Sequence, residues 1–344
     1  MPASSPLLPP PEPSVREQPG CAAWRFDPPL RRTGWVVERV LPLGEFMEDV
    51  RARCGLDAEG LGRLLHHGGL HLSGHPWEPE RAPARVEAGT WVVAWAFLRE
   101  PDAVPLPEDA LLLDACGVVA AHKPAWLPVQ GTRASRSLSL ERVLRERLAC
   151  PALAAAHRLD RETSGLVLFA RERRAAAHLA GELAARRVEK RYHAVVSPAP
   201  PRDAWEVRGW IERAPDPRRI RFRLAPVPRP GARASETRFR VLAHAGDLTL
   251  VEAVPVTGRS HQIRLHLAAG GTPIAGDALY GGEAAARRAE RLQLHALSLR
   301  LRLAPEEPVE RLLVAPPPGD FAAGFPERGP SAEPAQRLRL HHGV

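Results

Sequence analysis

Asp160 is the residue best placed to do chemistry. It lies in His157-Arg158-Leu159-Asp160-Arg161-Glu162-Thr163-Ser164-Gly165, between arginines and just ahead of the apolar run Leu166-Val167-Leu168-Phe169-Ala170. A short apolar run behind a glycine reads as a buried strand. The carboxylate is therefore expected at the mouth of a sheet, where it can serve as nucleophile or base. An aspartate flanked by arginines is also what an ordinary turn or a surface ion pair looks like. Thr163 and Ser164 invite a second chemistry, a hydroxyl nucleophile with His157 or His261 as its base. The chain has no Gly-x-Ser-x-Gly elbow, however, and hydroxyls in a Thr-Ser-Gly turn serve more simply to tie down backbone.

Further blocks follow downstream: Lys190-Arg191-Tyr192, then Thr257-Gly258-Arg259-Ser260-His261-Gln262-Ile263-Arg264-Leu265-His266, then Pro273-Ile274-Ala275-Gly276-Asp277 and Leu279-Tyr280-Gly281. Together with the Asp160 stretch they resemble, in order and spacing, the signature blocks of the RluA-type RNA pseudouridine synthases. The resemblance implies an RNA isomerase that breaks the N-glycosidic bond of a uridine in rRNA or tRNA, turns the uracil and rejoins it through C5. Asp160 then matches the family's catalytic carboxylate. Arg259 matches the arginine that pairs with it, and such a charge-assisted bond would hold the carboxylate in place. Tyr192, one of only two tyrosines, matches the residue that stacks on the flipped uracil and is a candidate for moving a proton.

By the same resemblance Leu265 closes the other side of the base, and Arg158 fills the gap that the departing nucleotide leaves in the RNA stack. Lys123, Arg161 and Arg264 are expected to contact phosphate or loops. Nothing is oxidised or added in the reaction, so neither cofactor nor metal is expected. The sequence departs from the family pattern at His122 and Gln130, where the family carries Asn-Lys-Pro and a later His; this bears on substrate contacts rather than on the chemistry. The rival reading is a catalytically idle RNA-binding or RNA-folding protein. Retention of Asp160, Tyr192 and Arg259 together speaks against it, because binding alone has no use for a pinned carboxylate.

The composition agrees with a polyanionic partner. Lys+Arg 48 against Asp+Glu 40 gives a net charge of +8 over 344 residues, and the lysines are only Lys123 and Lys190. No apolar run approaches the roughly 20 residues of a membrane helix. Cys21, Cys54, Cys116 and Cys150 are scattered, with no Cys-x-x-Cys pair. That pattern suits a reducing cytoplasm. The resemblance implies a monomer.

Several elements must position these residues. Residues 1–34 are proline-rich and are expected to be a disordered leader, and residues 327–344 a polar tail. Residues 35–99 carry two helical patterns and a hairpin that resemble an S4 RNA-binding domain poor in basic residues. His67, His71 and His75 recur at four-residue spacing, but Gly68-Gly69 and Ser73-Gly74 argue against a helix there and against a metal site. A linker spans 100–108. The catalytic domain is expected over 109–326, in the α+β class, as a mixed and mainly antiparallel sheet with flanking helices. Ser137 is expected to cap one helix, Ala176, Leu179, Ala180 and Leu183 to form the buried stripe of another, and Thr257 or Ser260 to open a third. Ile220, Phe222 and Leu224 read as one face of a strand, and Leu297 to Leu303 as the last strand.

Overall fold

The computed structural model describes residues 31–96, 106–132, 138–215, 221–323 and 325. The chain divides into two compact units, one made of Met1–Pro105 with Gly131–Val143, the other of Leu106–Gln130 with Leu144–Val344. Among the described residues no helix is long and apolar enough to cross a membrane. Ser137 and Ile220, and most of the expected leader and tail, lie outside the described residues.

In chain order the first unit contains β1 (Arg31–Val36), β2 (Leu41–Pro42), α1 (Leu43–Cys54), α2 (Ala58–His66), β3 (Leu70–Leu72), β4 (His75–Pro76), β5 (Arg85–Val86) and β6 (Trp91–Ala96). Four strands form one sheet in the order β1-β6-β3-β4. The expected leader is thus too long by four residues, because β1 begins at Arg31 and pairs along its length with β6. Asp57 caps α2, its side chain accepting from the Gly60 amide. Phe46 and Val50 on α1 and Leu64 on α2 close over Leu70, Val92 and Ala94 of the sheet. His67 ends α2, His71 lies on β3 and His75 on β4, so their spacing belongs to no helix.

The second unit is built on one sheet. Its chain runs through β7 (Leu111–Ala115) and β8 (Val118–Lys123), and after α3 (Leu140–Arg147) through β9 (Ala154–Ala155), β10 (Ser164–Ala170), α4 (Arg173–Ala184), β11 (Glu189–Val196), β12 (Ala204–Arg213) and β13 (Phe222–Ala225). It continues through β14 (Arg233–Ala245), β15 (Leu248–Pro255), α5 (Gln262–Ala269), α6 (Gly282–Ala286), β16 (Leu294–Leu301) and β17 (Arg311–Val314). The strand order is β13-β12-β14-β15-β11-β16-β10-β8-β7, with β17 on β16 and β9 on β10. Every pairing is antiparallel except β10 with β16. The expected last strand is therefore not last, since β17 follows and pairs with it.

Burial explains the order. All seven residues of β10 are buried, as an unbroken apolar run in mid-sheet demands. One face packs under α4, where Ala175 and Leu179 are buried against Leu166 and Leu168, while Ala180 of the expected stripe faces out. Further along the sheet, Ile263 and Leu267 of α5 pack on Ala194, Val196, Phe239 and Val251, with Tyr192 at the margin. Side chains of β11 and the start of α5 are thereby brought to the same end of the sheet as the segment entering β10.

Candidate active site

Asp160 sits in the turn that feeds β10, its carbonyl accepting from the Thr163 amide. Gly165 makes that entry possible. It has φ 118°, and a Cβ there would fall 2.2 Å from the Ala296 carbonyl of β16, so only glycine lets the two parallel strands approach so closely. Beside it Ser164 bonds His295 at 2.9 Å, and the other ring nitrogen of His295 donates to the Ala315 carbonyl. Ser164 is fully buried. Its hydroxyl is spent on the His295 side chain, and the buried Thr163 hydroxyl has no hydrogen-bond partner among the described residues, so neither ties down backbone directly as expected, and neither is an exposed nucleophile.

Lys123 stands opposite Gly165 in the β8–β10 register. It is wholly buried, and its ammonium donates to the carbonyls of Pro124 and Leu127 at 2.8 Å and of Arg161 at 3.0 Å. Three donors are thus spent on three carbonyls, which fastens the Asp160 turn to the loop after β8. Burial lowers its pKa well below that of an ordinary lysine, and the nearby Asp160 charge opposes the shift.

The guanidinium beside Asp160 belongs to Arg264, on the first turn of α5. Its Nη1 lies 3.6 Å from Asp160 and 3.2 Å from Glu162. Its other edge forks onto Asp277, with Nε and Nη2 each at 2.8 Å, and both residues are almost completely buried. Asp277 also accepts from the Leu279 and Tyr280 amides. Gly276 permits this arrangement: at φ 81° a Cβ would meet the Arg291 carbonyl at 2.0 Å.

His261 flanks Asp160 on the other side, Nε2 to Oδ1 at 3.7 Å, too long for a hydrogen bond. It occupies the left-handed region at φ 55° immediately before α5. Its Nδ1 bonds the Tyr280 hydroxyl at 2.6 Å, and that hydroxyl accepts from the Phe222 amide at 3.1 Å. A neutral His261 whose Nδ1 takes the Tyr280 proton carries its own proton on Nε2, toward Asp160. Burial lowers the His261 pKa, and the Asp160 charge partly offsets it. Tyr192, on β11, completes the group. Burial, then the charge of Asp160, raises its hydroxyl pKa above the usual phenol range, which keeps it protonated.

The structure thus brings Asp160, Tyr192 and Arg264 together with His261, and places Arg259 elsewhere. Arg259 lies in the loop ahead of α5, and its Nε donates to the Ala234 carbonyl at 3.0 Å. The expected Asp160–Arg259 pair is replaced by Asp160–Arg264, because α5 starts only at Gln262 and it is its first turn that faces the carboxylate. Two expected RNA contacts are also corrected. Arg264 and Lys123 are both buried with their donors engaged inside the protein, so neither reaches a phosphate. Arg158 is exposed, and Arg161 lies 5.5 Å over the Trp126 ring. Leu265 is buried within α5.

Neither Thr257 nor Ser260 caps α5. The Thr257 hydroxyl donates instead to Gln262 Oε1, which also accepts from the Arg259 amide, while Gln262 Nε2 donates to the Glu236 carbonyl and the Thr237 hydroxyl. The loop is stitched to β14 in this way. Asp277 and Tyr280 carried a signal that residue-by-residue reading passed over: a buried arginine in an apolar helix needs a carboxylate partner.

Residues 117–269 match the family model described as RNA pseudouridylate synthase. The ribosomal large subunit pseudouridine synthase C of Vibrio vulnificus is 32% identical over 211 residues, 59% of this chain and 64% of that protein. The dual-specificity RNA pseudouridine synthase RluA of Vibrio cholerae is 35% identical over 188 residues, 53% of this chain and 72% of that protein. Among solved structures, human RNA pseudouridylate synthase domain containing 1 superposes with a TM-score of 0.52 at 27% identity, over 61% of this chain and 83% of that one. The aligned part spans less than two thirds of the first of these relatives.

Proposed function

The chain belongs to the RluA-type RNA pseudouridine synthase family, and we propose that it isomerises uridine to pseudouridine in a structured RNA with Asp160 as the catalytic carboxylate. The observation that carries this reading is the setting of Asp160: a half-buried carboxylate held between Arg264 and His261, with its charge acting on the Tyr192 hydroxyl. With Arg264 beside one carboxylate oxygen and His261 beside the other, the group is oriented from two sides and has lone pairs left to turn to the ribose. It can attack C1′ as the N1–C1′ bond breaks, or take the C2′ proton to leave a glycal. In the first route the uracil turns and C5 bonds to C1′ as the Asp160–C1′ bond breaks; in the second C5 bonds to C1′ and C2′ regains its proton. In either, C5 then loses its proton and N1 takes one up, so the carboxylate is restored and no electrons are exchanged with an outside partner.

Tyr192 supplies a ring for the turning base to stack on, worth about 1–3 kcal/mol, and a protonated hydroxyl for proton movement. Leu265 is assigned the opposite wall, Arg158 the vacated stack, and Arg161 the backbone near Trp126. The reading extends to an rRNA or tRNA substrate, an S4-like RNA-binding role for the first unit, and a monomer acting in the cytoplasm. The names of the relatives and the net charge of +8 support the substrate class.

Tritium release from RNA carrying 5-tritiated uridine tests it, using ribosomal and transfer RNA lacking pseudouridine. Wild type is expected to release tritium and Asp160→Ala to release none. Equal release from both removes Asp160 from the chemistry. No release from wild type on any such RNA favours the idle RNA-binding reading.

A further inference from the structure

Arg259, freed from Asp160, lies among cations. Its bond to the Ala234 carbonyl lays it beside Arg233, at the start of β14. Burial first, then the charges of Arg233 and Arg186, lower its pKa below that of an ordinary arginine, with no carboxylate acting the other way. Arg186 is exposed in the turn after α4, and Arg233 is exposed too. Lys190 continues the series inward. It lies on β11 two residues before Tyr192, hence on the same face of the strand, and its ammonium is 3.6 Å from where a Gly258 Cβ would stand. Its pKa is lowered by burial alone.

None of these four cations has a carboxylate partner among the described residues. Their neighbours do. Arg187, next in sequence to Arg186, is bound to Glu182; Arg208, in the middle of β12, meets Glu236; and Arg223 meets Glu212. With these neighbours neutralised, four positive groups are left together here, which costs self-repulsion until an anion arrives. A chain of phosphodiesters supplies repeated negative charge, suits the guanidinium fork, and repays each contact by releasing counterions.

We infer that Lys190, Arg259, Arg233 and Arg186 form a track that grips the phosphates of the RNA strand leading into the Asp160 site. The assignment rests on the proposed RNA substrate. Lys190 is the inner end, beside Tyr192, and the three arginines carry the strand outward past the Gly258 loop.

The test is the salt dependence of binding to a fluorescein-labelled 20-nucleotide RNA stem–loop with a uridine-rich loop, followed by anisotropy from about 50 to 200 mM KCl. Arg186→Gln with Arg233→Gln, both exposed substitutions, is expected to weaken binding and to flatten the slope of log K against log salt by roughly 0.7–0.9 for each phosphate that is no longer neutralised. Lys190→Gln is expected to flatten it further. In single turnover the arginine pair should raise the RNA concentration needed for half-maximal rate and leave the saturated rate unchanged. A control pair, Arg208→Gln with Arg223→Gln, should leave the slope as in wild type. Unchanged slope and affinity in the Arg186/Arg233 variant, with wild-type melting, overturns the track. So does a wild type that does not bind the probe. Wild type that binds steeply with salt but releases no tritium leaves the track standing and removes the proposed isomerase reading instead.

Discussion

Arg264 is held more tightly by Asp277 than by Asp160. Both hydrogen bonds of its fork to Asp277 are 2.8 Å, against 3.6 Å to Asp160. Asp277 therefore fixes the plane of the guanidinium and leaves Nη1 for the catalytic side. Replacing Arg264 by Leu strands the Asp277 carboxylate in the core, and the expected cost is about 3–5 kcal/mol in urea unfolding. Arg264→Lys keeps a charge but cannot fork; its expected signature is an activity loss of about 100-fold or more with a smaller loss of stability. An Arg264→Leu protein as stable as wild type would show that the buried pair is not what holds α5 to the Asp277 loop.

Tyr192 carries two separable contributions. Tyr192→Phe keeps the ring and removes the hydroxyl, so RNA affinity should stay close to wild type while the single-turnover rate falls by about 10²-fold or more, the usual worth of a positioned acid or base. Tyr192→Leu removes the ring as well and should cost a further 1–3 kcal/mol, roughly, in binding. A Phe variant with the wild-type rate would assign proton movement to another group.

Three histidines make the fold sensitive to acid. Burial pushes His295 and His266 down to about 3 and about 4, and burial with the Lys190 charge pushes His157 down to about 3. Each has a structural reason to stay neutral. His295 Nδ1 accepts from Ser164, His157 Nε2 accepts from the Leu168 amide, and buried His266 Nδ1 has no hydrogen-bond partner to receive a new proton's charge. In the unfolded chain they titrate near 6.5. Between roughly 6.5 and these folded values the unfolded state binds more protons, so stability is complete above about pH 6.5 and falls as pH drops, by up to about 1.4 kcal/mol per pH unit per histidine. Urea midpoints at pH 7.5 and 5.0 measure this. Equal midpoints would mean these imidazoles can be protonated in the native state.

Much of this architecture was legible in the chain, and the exception is instructive. The short apolar run after Gly165 read as a buried strand and proved to be one in mid-sheet, and the alternation of β14 read as a strand in antiparallel pairing. The block from Gly258 to Arg264 offered two arginines, and the choice between them depended on where α5 begins. His261, in the left-handed region one residue ahead of Gln262, sets that start at Gln262, a backbone feature no residue type announces. What was available was burial: Arg264 lies between Ile263 and Leu265 in an apolar stretch, so it had to be inside, and an inside guanidinium must be paired. The same logic applied to Lys123, flanked by the apolar strand β8 and Pro124. Reading charged residues in apolar runs as structural pins, before reading them as ligands, would have separated Arg264 and Lys123 from Arg259 and Lys190.

The Phe222–Tyr280–His261 chain makes a last prediction. The Tyr280 hydroxyl lies 2.6 Å from His261 Nδ1, and by donating there it favours the neutral ring. Tyr280→Phe removes that donor, so the His261 pKa should rise from its depressed value, with Asp160 pulling it up while burial and the Arg264 charge still hold it down. Protonation of His261 places a second positive charge on Asp160 beside Arg264, which weakens the carboxylate as nucleophile or base. The acid limb of the single-turnover rate should accordingly shift to higher pH, with a rate loss of several-fold near pH 6 and little change above pH 8. The substitution should also cost about 1 kcal/mol of stability, since the Phe222 amide loses its acceptor. Nitrogen-15 chemical shifts of His261 read the tautomer and titration directly. An unmoved titration in Tyr280→Phe would show that the hydroxyl does not set the protonation of the ring facing Asp160.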